Sequence, residues 1–260
     1  MDEATGRAVA LEDATVAFRL ADARLYTAVE KARLSVAQGE FVAIVGPTGC
    51  GKSTLLNVAA GLLRPASGTV RIFDRPLVGL NRDSGYLFQA DALFPWKTAL
   101  DNVAIGLEIA GTPRKEALAR ALGWLASVGL EAFAGRYPHM LSGGQRKRVG
   151  LAQVLIRDPK ILLMDEPFGP LDAQTRQIMG NLLLDLWNAD RKAVLFVTHD
   201  LRRRSRLPIV SSSCRRGLVR KSSATGAFRW RARATFSKPA SARNFTPFTA
   251  RYGACSRLRC

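Results

Sequence analysis

Gly46 to Ser53 reads G-x-x-x-x-G-K-S, the spacing of a loop built to hold phosphate. Its glycines let successive backbone N–H groups converge on phosphate oxygens, and a helix opening beside Lys52 adds the positive end of its dipole. Within the run Gly46, Pro47, Thr48, Gly49, Cys50, Gly51, Lys52, Ser53 and Thr54, each side chain has a chemical part. Lys52 is placed to reach the β- and γ-phosphates, Ser53 to ligate Mg2+, and Thr54 to donate beside it. Far along the chain, the apolar run ILLM ends in Asp165 and Glu166. One carboxylate there can hold the Mg2+ shell through water, and the next can orient an attacking water. A third candidate is LSGGQ, Leu141 to Gln145. Ser142 reads as a helix N-cap, and Gly143 and Gly144 leave N–H groups open at the helix start, a second anion site. One chain has no use for two such sites on one triphosphate unless they belong to different pockets.

These residues need a scaffold. The phosphate loop follows FVAIV (41–45), a short continuous apolar run of the kind buried in a parallel sheet. It leads into a helical pattern, LLNVAAGLL. Further strands are predicted at 9–18, 32–38, 69–73, 86–89, 161–166 and 193–198, with a polar loop over 19–31. Residues from about 98 to 158 read as helical, broken at Gly111–Pro113, Gly129 and Pro138, and 173–189 reads as a helix. Strands at both ends around a helical insert predict an α/β fold.

Composition narrows the class. At 47% hydrophobic and 23% charged residues, the 260-residue chain is neither disordered throughout nor fibrous. No apolar run approaches the ~20 residues of a membrane span, and the acidic MDEATGRAVALED opening does not read as a secretory signal. The net charge of +18 is unevenly spread. All 21 acidic residues and 23 of the 39 basic ones lie in residues 1–200, whereas residues 201–260 hold 16 basic residues and no acid. Cys50, Cys214, Cys255 and Cys260 show no metal-ligand spacing, and Cys50 reads as a small residue fitted into the loop.

Taken in order, GPTGCGKST, Gln89, LSGGQ, ILLMDEP, Leu171-Asp172 and His199 resemble the ATP-binding subunit of ABC transporters, over residues 9–201. The resemblance implies a P-loop NTPase (RecA-like) core sheet, an antiparallel β subdomain and a helical signature subdomain at about 92–158. It implies ATP and Mg2+ as cofactors and a head-to-tail homodimer with two nucleotides between the copies. Ser142, Gly143, Gly144 and Gln145 of one copy then face the γ-phosphate held by Lys52 of the other. By the same resemblance Gln89 senses Mg2+ and the γ-phosphate, so the metal set is Ser53, Gln89 and Asp165. Glu166, His199 and Gln89 form the catalytic set, and Asp172 speaks across the dimer. An aromatic near the end of the first strand stacks the adenine, with Phe18 preferred and Tyr26 second. His139 reads as structural.

The segment ADALFPWKTALDNV, with Pro95, Trp96 and Asn102, resembles importers of nitrate, sulfonate, taurine and related solutes. That implies membrane permease subunits as partners, with Trp96 a candidate contact, a solute-binding protein engaged indirectly, and a peripheral position on the cytoplasmic face of the membrane. Nucleic acid is not expected as a partner. A soluble ABC protein acting on nucleic acid or ribosomes is the alternative, and such proteins usually carry two cassettes in one chain.

The resemblance stops after T-H-D. Residues 202–260 turn rich in Arg and Ser and lose their periodicity, predicting an irregular basic tail. Synonymous codons can be chosen around residues 202–216 so that a shift of two bases spells EEAIALADRVVVLS, the helix and strand the family expects there. The favoured reading is a segment translated out of frame. The competing one is a basic tail whose aromatics, among them Phe228 and Trp230, stack on bases.

Overall fold

The computed structural model describes residues 6–169 and 171–198, together with the backbone of 210–216, 227–231 and 236–237. Two sheets organise it. The first is antiparallel and contains β1 (Arg7–Arg19), β2 (Leu25–Ala37), β4 (Ser67–Ile72), β5 (Arg75–Pro76) and β11 (Phe236–Ser237), in the order β11-β2-β1-β4-β5. The second is parallel and contains β3 (Phe41–Val45), β6 (Ser84–Leu87), β7 (Ile161–Asp165), β8 (Ala193–Thr198), β9 (Val210–Arg216) and β10 (Ala227–Arg231), in the order β10-β9-β3-β8-β7-β6. Among the described residues five α-helices complete the fold: α1 (Lys52–Ala59), α2 (Ala99–Ile109), α3 (Arg114–Ser127), α4 (Gly143–Leu155) and α5 (Ala173–Ala189).

The continuous apolar runs are explained by burial on both faces of the parallel sheet. Alternate residues of β3, β7 and β8 point to opposite sides. Val42, Ile44, Leu163, Leu195 and Val197 pack with Leu55, Leu56 and Val58 of α1. Phe41, Ala43, Leu162, Met164 and Phe196 pack with Met179, Leu183 and Trp187 of α5 and with Leu151 and Leu155 of α4. Phe41 meets the Trp187 ring edge-on, with centroids 5.8 Å apart. A third cluster joins α2, α3 and α4 through Val103, Leu107, Ala121, Leu125, Val149 and Ala152.

Register fixes which strand ends meet. Val45 pairs with Thr198, Asp165 with Val197, and Leu87 with Met164. The phosphate loop, the Asp165-Glu166 pair and the Gln89 segment therefore all leave the sheet at its carboxyl edge, where open α/β sheets bind ligands.

Three local expectations change. The polar loop expected over 19–31 is a short turn followed by β2 from Leu25 on. Cross-strand pairing of Phe18 with Tyr26 and Val16 with Val29 organises a stretch whose own polarity hid it. The strand expected at 86–89 ends at Leu87, so Gln89 lies beyond it. Of the segment after 201, expected to be irregular, the described residues are β9, β10 and β11, with β9 lying parallel to β3. His199 lies outside the described residues.

Candidate functional site

The phosphate loop turns between β3 and α1 through two glycines with positive φ, 79° at Gly49 and 89° at Gly51. Side chains other than glycine rarely adopt these angles. Lys52 is 5% exposed, and its ammonium lies folded back over the loop, donating to the carbonyls of Gly46 and Pro47, each at 2.9 Å. Cys50 is buried with its Sγ 3.9 Å from Lys52 Nζ, a small side chain in a tight turn. The loop thus curls around the lysine, which is the geometry a bound phosphate would take over.

Ser53 Oγ donates to Asp165 Oδ1 at 2.9 Å. The hydroxyl and the carboxylate form a hard-oxygen donor pair of the kind Mg2+ takes, one side chain from each end of the site. Burial pushes the Asp165 carboxyl above its ordinary value, and the negative Glu166 beside it pushes the same way. The Ser53 hydrogen bond and the Lys52 charge oppose the rise without cancelling it. A site that holds two adjacent carboxylates half-buried is primed for a cation.

Glu166 has a φ of 42°, which is strained for a residue with a Cβ. Its N–H donates to the Val197 carbonyl and its own carbonyl accepts from Gly169, both at 3.0 Å. The backbone is pinned to β8 on one side and to a tight turn on the other.

At the signature segment, Ser142 caps α4. Its Oγ accepts from the Gln145 N–H at 3.2 Å, and Gln145 Oε1 accepts from the Ser142 N–H at 2.8 Å, a reciprocal capping box. The Gln145 side chain, expected to face nucleotide, is engaged in this cap. The N–H groups of Gly143 and Gly144 stand in the first turn, where no helical carbonyl precedes them. A Cβ on Gly144 would come within 2.6 Å of Thr175 Cγ2, so glycine is needed there for packing as well. Asp172 caps α5 by accepting from the Thr175 N–H at 2.9 Å, and the Thr175 side-chain hydrogen bond, with that N–H next, holds its carboxyl below the ordinary range.

Gln89 is exposed, and its carbonyl accepts from Lys147 of α4 at 2.6 Å. Phe18 and Tyr26, the two adenine candidates, are direct cross-strand partners at the end of the β1–β2 hairpin, with Phe18 39% exposed. Trp96 is 71% exposed and packs on Phe94 at 5.5 Å between ring centroids.

Residues 29–169 match the ABC transporter family. The chain belongs to that family. The taurine import ATP-binding protein TauB of Rhizobium johnstonii is 45% identical over 191 residues, covering 74% of this chain and 73% of that protein. TauB of Pseudomonas aeruginosa is 51% identical over 168 residues, covering 65% of this chain and 64% of that one. Among solved structures, a dimeric ATP-binding cassette in a post-hydrolysis state bound to ADP and Pi superposes with a TM-score of 0.68 and 36% identity. That match covers 75% of this chain and 89% of that one. An ABC cassette binds and hydrolyses ATP, and the fold here is that of the cassette.

Two residues have partners that their sequence context did not show. Asn102, fully buried, holds the Phe94–Thr98 turn. Its Oδ1 accepts from the Phe94 N–H at 2.7 Å, and its Nδ2 donates to the carbonyls of Phe94, Lys97 and Thr98 at 3.1, 3.0 and 2.9 Å. Asp91 lies between Arg146 and Lys147 of α4. Its partial burial acts to raise its carboxyl, but the two cations outweigh that and hold it below the ordinary value. An isolated Asp in a loop, or Asn in the first turn of a helix, gives no sequence signal of such partners.

Proposed function

We propose that this chain is the ATP-hydrolysing subunit of an importer for a small solute of the nitrate, sulfonate or taurine class. It works as a head-to-tail homodimer on the cytoplasmic face of the membrane, against separate permease subunits, and meets a solute-binding protein only indirectly. The observation that carries this is the meeting of Ser53 and Asp165 at 2.9 Å beneath a glycine loop that encloses Lys52. The TauB relatives supply the importer class. No helix among the described residues is long and apolar enough to cross a membrane, which fits a subunit that relies on others for the channel.

In this reading the amides of residues 46–54 and the Lys52 ammonium bind the triphosphate, and Phe18 or Tyr26 stacks the base. Ser53, Asp165 and Gln89 would hold Mg2+, which would supply positive charge to offset that of the phosphates. Glu166 orients water in line with the γ-phosphate and accepts its proton. The Gly143 and Gly144 amides and the Ser142 hydroxyl face the nucleotide of the other copy, as Asp172 does across the dimer. His199 completes the catalytic set from outside the described residues. Residues 1–201 form the cassette, with the helical subdomain at about 92–158, and residues 202–260 are an out-of-frame extension, which sequencing the gene would test.

The functional test is ATP turnover by the purified chain, with co-purification of integral membrane proteins from its own host. Turnover together with such partners is expected. Turnover with nucleic acid and no membrane protein would instead favour the soluble alternative.

A further inference from the structure

Two consecutive cations of α4 hold the segment that carries Gln89. Lys147, 5% exposed, donates to the Gln89 carbonyl at 2.6 Å and pairs with Asp91 Oδ1 at 2.9 Å. Arg146 meets the other oxygen, Asp91 Oδ2, at 2.8 Å through Nε. The same guanidinium donates at 2.7 Å to the carbonyl of Leu141, the residue directly before Ser142. One carboxylate therefore joins two cations, one of which grips the backbone at Gln89 and the other the backbone at the signature turn. Hydrogen bonds with charge on both sides are short and directional, and a nearly buried ammonium deprived of its carboxylate is costly. The Gln89 segment cannot drift from α4 without stranding the Lys147 charge.

We propose that Asp91 is a positioning residue that locks the Gln89 segment to the Ser142 turn, so that the two phosphate-facing elements of one copy move together. In the ATPase reading on which this rests, Gln89 faces the nucleotide of its own copy and Ser142 faces that of the other. A rigid link between them lets one site report its occupancy to the next. The device needs the charge of Asp91 and not merely its shape, because each oxygen serves a different cation.

The test is steady-state ATP turnover of Asp91→Asn beside ATP affinity measured by equilibrium dialysis. A misplacement of about 1 Å in a catalytic element costs up to about 100-fold in rate. The expected result is a fall in kcat of about 10- to 100-fold, with ATP affinity changed by less than about twofold, since the phosphate loop is untouched. Asp91→Glu restores most of the loss. If Asp91→Asn does not fold, the double variant Asp91→Leu with Lys147→Met removes the Asp91–Lys147 pair without stranding the buried ammonium, leaves Arg146 partly exposed on the Leu141 carbonyl, and shows the same split between binding and turnover. Normal turnover in either variant would overturn the proposal. So would parallel loss of ATP binding, turnover and melting temperature in the double variant, which would mark a purely structural clasp. An unaltered chain without turnover would overturn the ATPase reading itself, a result distinct from both.

Discussion

Ser53 Oγ and Asp165 Oδ1, separated by 112 residues of sequence, lie 2.9 Å apart at the carboxyl edge of the parallel sheet. The phosphate loop and the acidic end of β7 therefore share one cation-sized locus. Asp165→Asn leaves the hydrogen bond possible and removes the charge. Loss of a metal's electrostatic contribution amounts to several kcal/mol. Turnover is expected to fall about 100-fold or more, with the Mg2+ concentration for half-maximal rate raised, as a coupled-enzyme assay over a Mg2+ series would show. Unchanged Mg2+ dependence would remove Asp165 from the metal set.

The same carboxyl gives a pH prediction. Burial raises Asp165 above its unfolded value of 3.8, so the folded chain binds that proton more tightly than the unfolded chain does. Its contribution to stability is greatest at low pH and falls as pH rises from 3.8 through the raised value. Asp91 acts oppositely, because its depressed value gives stability above 3.8 that is lost as pH falls through the folded value. Urea midpoints of Asp165→Asn across this range should decline less with rising pH than those of the unaltered chain, and a parallel pair of curves would refute the assignment.

Glu166→Gln removes the proposed base but keeps the size and the pinned backbone. ATP binding is expected to persist while turnover drops by about 100- to 10,000-fold, the usual range for a lost general base. Single-turnover quench-flow separates the two, and retained chemistry would move the base elsewhere.

Asn102→Ala strands the Phe94 N–H and removes the side-chain donor to the Lys97 carbonyl beside a fully buried position, while the Phe94 and Thr98 carbonyls keep the Lys97 and Asn102 backbone N–H groups. A lost buried partner costs about 1–3 kcal/mol, so the variant should lose about 2–3 kcal/mol. The loss would be read from urea denaturation, and a change near zero would mean that water replaces the carboxamide.

Gly144→Ala places a methyl 2.6 Å from Thr175 Cγ2. Overpacking of this kind costs about 1–3 kcal/mol. Adding Thr175→Ser deletes that methyl group and leaves the Thr175 N–H cap on Asp172 in place, so stability should return. A double variant as unstable as the single would show that the strain lies in the backbone.

The parts legible in the sequence were those in which local pattern and tertiary demand agree. FVAIV, ILLM and AVLFV are apolar because both faces of their sheet are covered, and the glycine loop after β3 announces its chemistry by spacing alone. Leu25–Lys31 was not legible, because its alternation is interrupted by polar residues and only pairing with β1 makes it a strand. The N-cap role of Ser142 was legible from its place before a helical stretch, but the reciprocal bond of the Gln145 side chain shows only in the fold. Asp91 and Asn102 do their work through partners 55 residues away or through backbone carbonyls, and neither leaves a mark on composition or period.

In the proposed dimer each nucleotide is held between two copies, one offering Lys52 and the other Ser142. The most direct measurement is the mass and nucleotide content of Glu166→Gln with ATP, by size-exclusion chromatography with light scattering. The expected result is a dimer carrying two ATP, which Ser142→Arg reduces to monomers still able to bind ATP weakly. A monomer that retains ATP with equal affinity whether or not Ser142 is replaced would contradict it.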